Sequence, residues 1–159
     1  MASIEQKILD QIRQLRSARQ SVSNEQQWIQ NLIDDQHLRE IIPKLSIVSL
    51  HIATALLDGE MTGIELARQL NVTRGGITRA AKSLLSYQLV IDQKHAGDKK
   101  KIYYSLTPAG RKVAIGHQRM HEKMDQTFAK KMDQRYTQAE LARFSQMLEE
   151  VQQLEKEFF

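Results

Sequence analysis

Apolar side chains recur at helical spacing near both ends of the chain. The first such stripe predicts an N-terminal helix on the positions Ile4, Ile8, Ile12 and Leu15. The pattern weakens around residues 21–24 and resumes at Trp28, so this segment forms either one long helix or two. A second stripe predicts a last helix on the positions Leu141, Phe144, Leu148, Val151, Leu154 and Phe158.

A third apolar segment, in the middle of the chain, is apolar on nearly all sides. It predicts a buried central helix that begins after the N-cap Ser46, runs through Leu57 and ends at Gly59. Pro43 separates this helix from the N-terminal segment.

Two short helices follow the central helix within about 25 residues. Thr62 and Glu65 have the spacing of a capping box, which predicts the start of a helix that ends near Leu70. Thr73 then caps a second helix that runs to about Ser86. This order and spacing are typical of a helix-turn-helix.

A β-hairpin is predicted directly after the second short helix. Its strands are residues 89–91 and 102–106, with the turn at residues 95–98. Such a hairpin after a helix-turn-helix is a wing. Pro108 follows the N-cap Thr107 and begins a long helix to about Asp133, and a second capping box at residues 137–140 begins the last helix.

The predicted fold is therefore mainly α with a small β wing, a winged helix-turn-helix with long terminal dimerisation helices. We divide it into N-terminal dimerisation helices at 1–44, a DNA-binding winged region at 45–110 and C-terminal dimerisation helices at 111–159, forming one intertwined domain. The apolar stripes of the end helices are too long for the winged region to cover. The simplest partner is a second copy of the chain, in a homodimer.

Composition excludes several classes of protein. The 159 residues include 0 cysteines, which excludes disulfides, thiolate zinc sites and thiol redox sensing. No apolar run approaches the ~18 residues of a membrane span, and the first twenty residues are too polar for a secretory signal. We therefore expect a cytoplasmic protein with no membrane partner.

Charge is concentrated in the middle of the chain. The formal net charge is +4, but residues 71–112 carry nine bases against two acids, whereas residues 1–70 and 113–159 are slightly acidic. A basic segment between acidic flanks is typical of a protein that binds a polyanion such as nucleic acid.

Together these motifs resemble the MarR family of winged helix-turn-helix transcription regulators over about residues 45–125. The most specific stretches are Gly63–Arg79, with the sequence GIELARQLNVTRGGITR, then Asp98-Lys-Lys, then Leu106-Thr-Pro-Ala-Gly110. The resemblance implies a homodimer, usually a repressor, whose recognition helices enter successive major grooves of a pseudo-palindromic operator. The family wing usually carries Asp-x-Arg, and the lysine here lacks the planar fork of arginine for reading the minor groove.

The residues expected to contact double-stranded DNA lie at the start of the second short helix and in the wing. Side chains near the start of a recognition helix reach base edges, and either Arg74 or Arg79 can pair with guanine. Lys99, Lys100 and Lys101 would contact phosphates, while Asp98 orients a basic wing residue. The helix contributes Thr73, Arg74, Gly75, Gly76, Thr78, Arg79 and Lys82, of which Gly75 and Gly76 would let the backbone approach a phosphate.

A regulator of this kind needs an effector, and two remain open: a metal ion, or a small organic ligand in the cleft beside the DNA-binding region. His117 and His121 lie four residues apart, on one face of a helix, which suits chelation. Together with His51 they match the zinc-binding histidines of the zinc-uptake repressors that the sequence resembles. The resemblance implies a fourth, carboxylate ligand, for which Glu25, Asp34 and Asp35 are candidates.

Two other functions compete with this interpretation. A zinc hydrolase would need glutamate after the first histidine of His-Glu-x-x-His, but Gln118 follows His117, so we expect no enzyme. A helical adaptor that binds another protein is the second alternative, and the basic winged segment disfavours it. His37 and His95 are assigned no role.

Affinity for DNA is expected to depend steeply on salt. If each dimer makes six to ten phosphate contacts, affinity falls by roughly 10³–10⁵-fold between 50 and 200 mM salt, because condensed counterions are released on binding. Fluorescence anisotropy with labelled duplex DNA measures this slope. A flat salt dependence would contradict the proposed DNA surface.

Overall fold

The computed structural model of the chain describes residues 3–18 and 23–158. Eight α-helices and three strands make up this part. The helices are α1 (Ile4–Ala18), α2 (Ser23–Leu32), α3 (Gln36–Ile41), α4 (Ile47–Ala55), α5 (Gly63–Leu70), α6 (Arg74–Ser86), α7 (Pro108–Arg135) and α8 (Gln138–Phe158). The strands are β1 (Met61–Thr62), β2 (Val90–His95) and β3 (Asp98–Leu106). The predicted mainly α fold with a β wing is confirmed, while the connection between α1 and α2 lies outside the described residues.

The predicted helix caps are present. The Ser46 hydroxyl accepts a hydrogen bond from the Ser49 amide, and the Thr73 hydroxyl accepts one from the Gly76 amide. At α5, Glu65 accepts from the backbone N–H of Thr62, which holds the pKa of its carboxyl below the usual value. Each cap satisfies donors that the first helical turn leaves unpaired, so these three starts could be read from the sequence.

Two elements were not predicted from the sequence. Asp35 caps α3 by accepting from the Leu38 amide, but this helix has only six residues, too few to show a helical period. The two-residue strand β1 is defined by its pairing with β3, which a local pattern does not reveal. The wing is therefore an antiparallel sheet with the order β1-β3-β2, and its strands β2 and β3 are longer than predicted.

Residue contacts divide the chain into two compact units, residues 1–120 and residues 121–159, with the boundary inside α7. The first unit contains the core, in which α4 is central: Leu50, Ile52 and Ala53 are fully buried. Its members also include Ile29 of α2, Ile33 directly after α2, and, from α6 and the start of α7, Ile77, Ala80, Leu84, Val113 and Met120. The predicted three-part division at residues 44 and 110 stays a prediction.

The second unit consists of the rest of α7 and all of α8. A groove between these helices is lined by apolar side chains that remain exposed, among them Phe128, Phe144 and Leu148. In the first unit, α1 likewise exposes Ile4, Leu9 and Leu15. None of the described helices is both long enough and apolar enough for a membrane span.

The wing is joined to α7 by a close backbone approach at Gly110. The Thr107 hydroxyl donates to the Gln88 carbonyl oxygen at 2.7 Å, lies 3.1 Å from that of Leu89 and accepts from the Gly110 amide. A Cβ atom at position 110 would overlap the carbonyl oxygen of Leu89. Glycine at this position therefore lets the first turn of α7 lie against the start of β2.

Replacing Gly110 by alanine is expected to destabilise the protein by at least ~2 kcal/mol, because the added methyl group forces the backbone apart. For a chain of this size that corresponds to a melting temperature about 4–8 °C lower. Gly97→Ala is the matched control, because a Cβ there meets nothing within 4 Å. Thermal unfolding, monitored by circular dichroism, measures the melting temperature of each variant. Equal melting temperatures for Gly110→Ala and Gly97→Ala would contradict the close approach.

Candidate functional site

Helix α6 presents a polar face to solvent. Arg74, Thr78 and Lys82 are exposed at successive turns, with Gly75 and Arg79 beside them. The opposite face packs into the core through Ile77, Ala80, Ala81 and Leu84. The predicted recognition residues therefore lie on one accessible face of a rigid helix.

In the wing, Asp98 holds a lysine in place. Its carboxylate accepts from the Lys101 ammonium at 3.2 Å and from the Lys100 backbone N–H at 3.2 Å. The lysine lowers the pKa of Asp98, and the aspartate in turn raises the pKa of Lys101. Lys101 lies three positions after Asp98, whereas the arginine of the family's Asp-x-Arg lies two positions after its aspartate, so Lys101 is the wing cation that Asp98 orients.

One groove connects the recognition helix with the wing. Its volume is about 250 Å³, and its lining includes Arg74 and Thr78 from α6 together with Lys100 and Lys101 from β3. Ile64 at the start of α5 and Ile102 add exposed apolar surface. The structure thus brings cations from two predicted elements to one concave surface, which is the arrangement that a polyanion backbone requires.

The two glycines at the start of α6 differ in their surroundings. A Cβ at Gly75 would meet nothing, so this position is open to an approaching phosphate. A Cβ at Gly76 would come within 2.8 Å of the Val72 side chain and 3.2 Å of the Thr73 hydroxyl. Packing within the turn is therefore enough to explain Gly76.

The predicted histidines meet one of the three candidate carboxylates. One ligand atom from each of Glu25, His51, His117 and His121 lies within 4.8 Å of every other, and we call these residues the four-residue cluster. They come from α2, α4 and, one helical turn apart, α7. Because α7 runs unbroken through the boundary at residue 121, its own helical geometry places His121 beside His117.

The centre of the cluster is buried and contains an unsatisfied oxygen. His117 is 1% exposed, and its ring lies 5.1 Å from that of His51. The His117 Nε2 and Glu25 Oε2 atoms are 3.6 Å apart, too far for a hydrogen bond. Glu25 Oε2 is buried without a hydrogen-bond partner among the described residues. A buried carboxylate oxygen in this state is costly unless a cation compensates it.

Close packing of α2 on α7 brings Glu25 to the histidines. A Cβ at Gly116, next to His117, would come within 3.3 Å of Ile29 and Ile33. Glu25, Ile29 and Ile33 are spaced by four residues, so Glu25 shares the inward face of α2 with two core residues. That spacing is the sequence signal that singles out Glu25.

The other two candidate carboxylates have different partners. Asp34 is exposed and lies 3.8 Å from the Arg39 guanidinium. Asp35 caps α3 and accepts from the Lys112 ammonium at 3.3 Å, two interactions that lower the pKa of its carboxyl. Neither belongs to the four-residue cluster.

Two polar contacts were not anticipated from the sequence. The Thr54 hydroxyl lies 2.7 Å from Nδ1 of His117, on the side of the ring away from Nε2. In the wing, the His95 ring lies 2.7 Å from the Glu60 carboxylate and edge-on to Tyr103. Both contacts join segments far apart in sequence, which local patterns do not report.

Comparison with known proteins places these features in a family. The transcriptional regulator AdcR of Streptococcus pneumoniae is 37% identical over 67 residues, which are 42% of this chain and 46% of AdcR. The Zn(II)-bound crystal structure of AdcR, described as a zinc-dependent MarR family transcriptional regulator, has a TM-score of 0.54 at 31% identity. That alignment covers 65% of this chain and 70% of the solved one.

A second solved structure extends the shared fold to nearly the whole chain. A cysteine-to-serine mutant of Lactococcus lactis ZitR in complex with DNA gives a TM-score of 0.74 and covers 99% of both chains at 21% identity. No protein-family model matches the sequence.

The sequence alignments to curated relatives are shorter. The chain spans between about half and three fifths of the length of the first curated relatives it matches. The solved AdcR chain, however, is matched at 31% identity over more than two thirds of its length. The protein therefore belongs to the MarR family of transcriptional regulators.

Proposed function

We propose that the protein is a DNA-binding transcription regulator, acting as a homodimeric repressor, whose affinity for its operator is raised by zinc. The observation that carries this proposal is the four-residue cluster, in which a buried carboxylate oxygen without a hydrogen-bond partner faces three histidines.

DNA binding is supported by the groove between α6 and the wing. The exposed face of α6 offers Arg74 and Arg79 for base edges, and either can pair with guanine in the major groove. Lys99 and Lys100 are exposed on the wing, where they suit phosphate contacts that fix the register of the protein on the duplex. We therefore assign base recognition to α6 and contact with the DNA phosphate backbone to the wing.

Zinc is supported by the chemistry of the donor set. Three imidazoles and one carboxylate are a legitimate tetrahedral set for Zn²⁺, and without cysteine the chain offers no thiolate alternative. When bound, zinc would compensate the Glu25 charge and link α2, α4 and α7. AdcR and ZitR, described as zinc-dependent and zinc-responsive, are the relatives that support the choice of metal.

The route from the cluster to the DNA surface runs through α4. This helix carries His51 and packs against α6, where the Ser49 hydroxyl donates to the Ala80 carbonyl oxygen at 3.4 Å. Ala80 lies on the face of α6 opposite to Arg74 and Thr78. Fixing α4 relative to α2 and α7 therefore restricts the position of the recognition helix. A ligand shifts such an equilibrium only by its differential affinity for the two arrangements.

Dimer formation is supported by the apolar surface that each unit leaves exposed. The residues concerned are Ile4, Leu9 and Leu15 on α1 and Phe128, Phe144 and Leu154 on α7 and α8. A second copy of the chain is the simplest partner for such surfaces.

We further propose that zinc is regulatory here rather than catalytic. Four protein ligands leave no open coordination position for water or substrate, and the residue after His117 is Gln118, which cannot act as a general base. A regulator of chromosomal genes acts where the chromosome lies, so the proposed location is the cytoplasm.

Zinc is expected to tighten operator binding by roughly 5–150-fold, the usual range of allosteric coupling. An operator selected from random duplex DNA, followed by a mobility shift with zinc and with a chelator, measures this ratio. His117→Ala should reduce this ratio to about one, because the central ligand is lost. His37→Ala should preserve it, because His37 is exposed and outside the cluster.

Two outcomes contradict different parts of the proposal. DNA affinity that does not change on chelation rules out zinc as the effector and leaves the organic ligand. Failure to select any DNA sequence rules out the regulator itself and favours the helical adaptor.

A further inference from the structure

We propose that Thr54 is a positioning residue that fixes the tautomer of His117, so that Nδ1 carries the proton and Nε2 presents its lone pair to the other members of the cluster. This inference rests on the proposed zinc site for its purpose, but its geometry and its test stand on the metal-free protein.

The hydrogen bonds of the Thr54 hydroxyl decide the tautomer. The hydroxyl has one proton, and its oxygen lies 3.0 Å from the Leu50 carbonyl oxygen one turn earlier in α4. A carbonyl oxygen can only accept, so this contact is a hydrogen bond only when the hydroxyl proton points to Leu50. The same oxygen lies 2.7 Å from His117 Nδ1. Both contacts are hydrogen bonds at once in a single arrangement, in which the hydroxyl donates to Leu50 and accepts from Nδ1, so that Nδ1 is the protonated nitrogen.

The other side of the ring is consistent with this assignment. If Nε2 carried the proton, it would donate to Glu25 Oε2 at about 2.8 Å, the usual length of a charge-assisted bond. The observed separation is 3.6 Å, and Glu25 Oε2 has no hydrogen-bond partner among the described residues. With the proton on Nδ1, Nε2 and the Glu25 carboxylate are both electron-pair donors, which is the donor chemistry that a divalent cation binds.

The reason for such a residue lies in metal chemistry. A metal-bound imidazole must be neutral, and its second nitrogen needs an acceptor that fixes the ring. His117 is almost completely buried, so a water molecule could serve as this acceptor only by giving up its freedom of motion, which costs free energy. Thr54 lies three residues after His51 on α4, so the same helix supplies one ligand and orients another.

The test compares Thr54→Val, which keeps the shape but removes the hydroxyl, with Thr54→Ser, which restores it. Thr127→Val is the matched control, because Thr127 makes the same bond to the carbonyl oxygen one turn earlier, that of Lys123, at an exposed position. The nitrogen-15 shifts of the His117 ring in the metal-free full-length chain report the tautomer. Competition with a chromophoric chelator reports zinc affinity, and circular dichroism checks folding.

The wild type, Thr54→Ser and Thr127→Val should show the Nδ1–H tautomer, and Thr54→Val should lose it. Thr54→Val should also bind zinc about 10–100-fold more weakly, the usual effect of removing an outer partner of a metal ligand. Thr54→Ser should stay within about threefold of the wild type.

An Nε2–H tautomer in the wild type, or an unchanged tautomer in Thr54→Val, overturns the inference. If the wild type binds no zinc, zinc is ruled out as the effector, while the nitrogen shifts of the metal-free chain still decide the role of Thr54. If Thr54→Val does not fold, Thr54→Ala, which also lacks the hydroxyl, is compared with Thr54→Ser in its place.

Discussion

The candidate site depends on one buried carboxylate oxygen. Glu25 Oε2 lies 3.6 Å from His117 Nε2 and lacks a hydrogen bond within the described part of the chain, a state that costs free energy unless a cation lies nearby. Core packing brings Glu25 to this position, because Gly116 allows Ile29 of α2 and Ile33, the residue after α2, to lie directly on α7. The buried carboxylate oxygen therefore lies beside the histidines of the cluster, where a bound metal would compensate its charge.

The arrangement also explains how a local event could reach the DNA surface. The proposed ligands come from three helices, and the one on α4 lies in the helix that packs against the recognition helix α6. Protein interiors are close-packed, so there is little free space between α4 and α6. Fixing the position of α4 therefore also restricts the position of α6. In the wing, which shares a groove with Arg74 and Thr78 of α6, Asp98 orients Lys101, and Thr107 and Gly110 fix the wing to α7.

Features with a local physical cause could be predicted from the sequence. Capping by Ser46, Thr62 and Thr73 needs only the residues of one helical turn, and these helix starts were predicted correctly. The three histidines were also predicted to come together. Long-range contacts could not be predicted from local sequence patterns. The strand β1 is defined by its pairing with β3, and Thr54 contacts His117, which lies 63 residues later in the sequence. The choice among Glu25, Asp34 and Asp35 needed the inward stripe of α2, which becomes evident once Ile29 and Ile33 are seen to be buried.

The central claim is that the Glu25 carboxylate binds the metal. A comparison of the zinc affinities of Glu25→Gln and Asp34→Asn tests this claim most directly. Glutamine keeps the shape of glutamate but removes the charge, and one of four ligands contributes about a quarter of the ~10–16 kcal/mol typical of a structural zinc site. The account predicts that Glu25→Gln weakens binding by ~100-fold or more, as measured by competition with a chelator. It predicts that Asp34→Asn, which changes an exposed carboxylate outside the cluster, leaves affinity unchanged. Equal affinities for the two variants would contradict it.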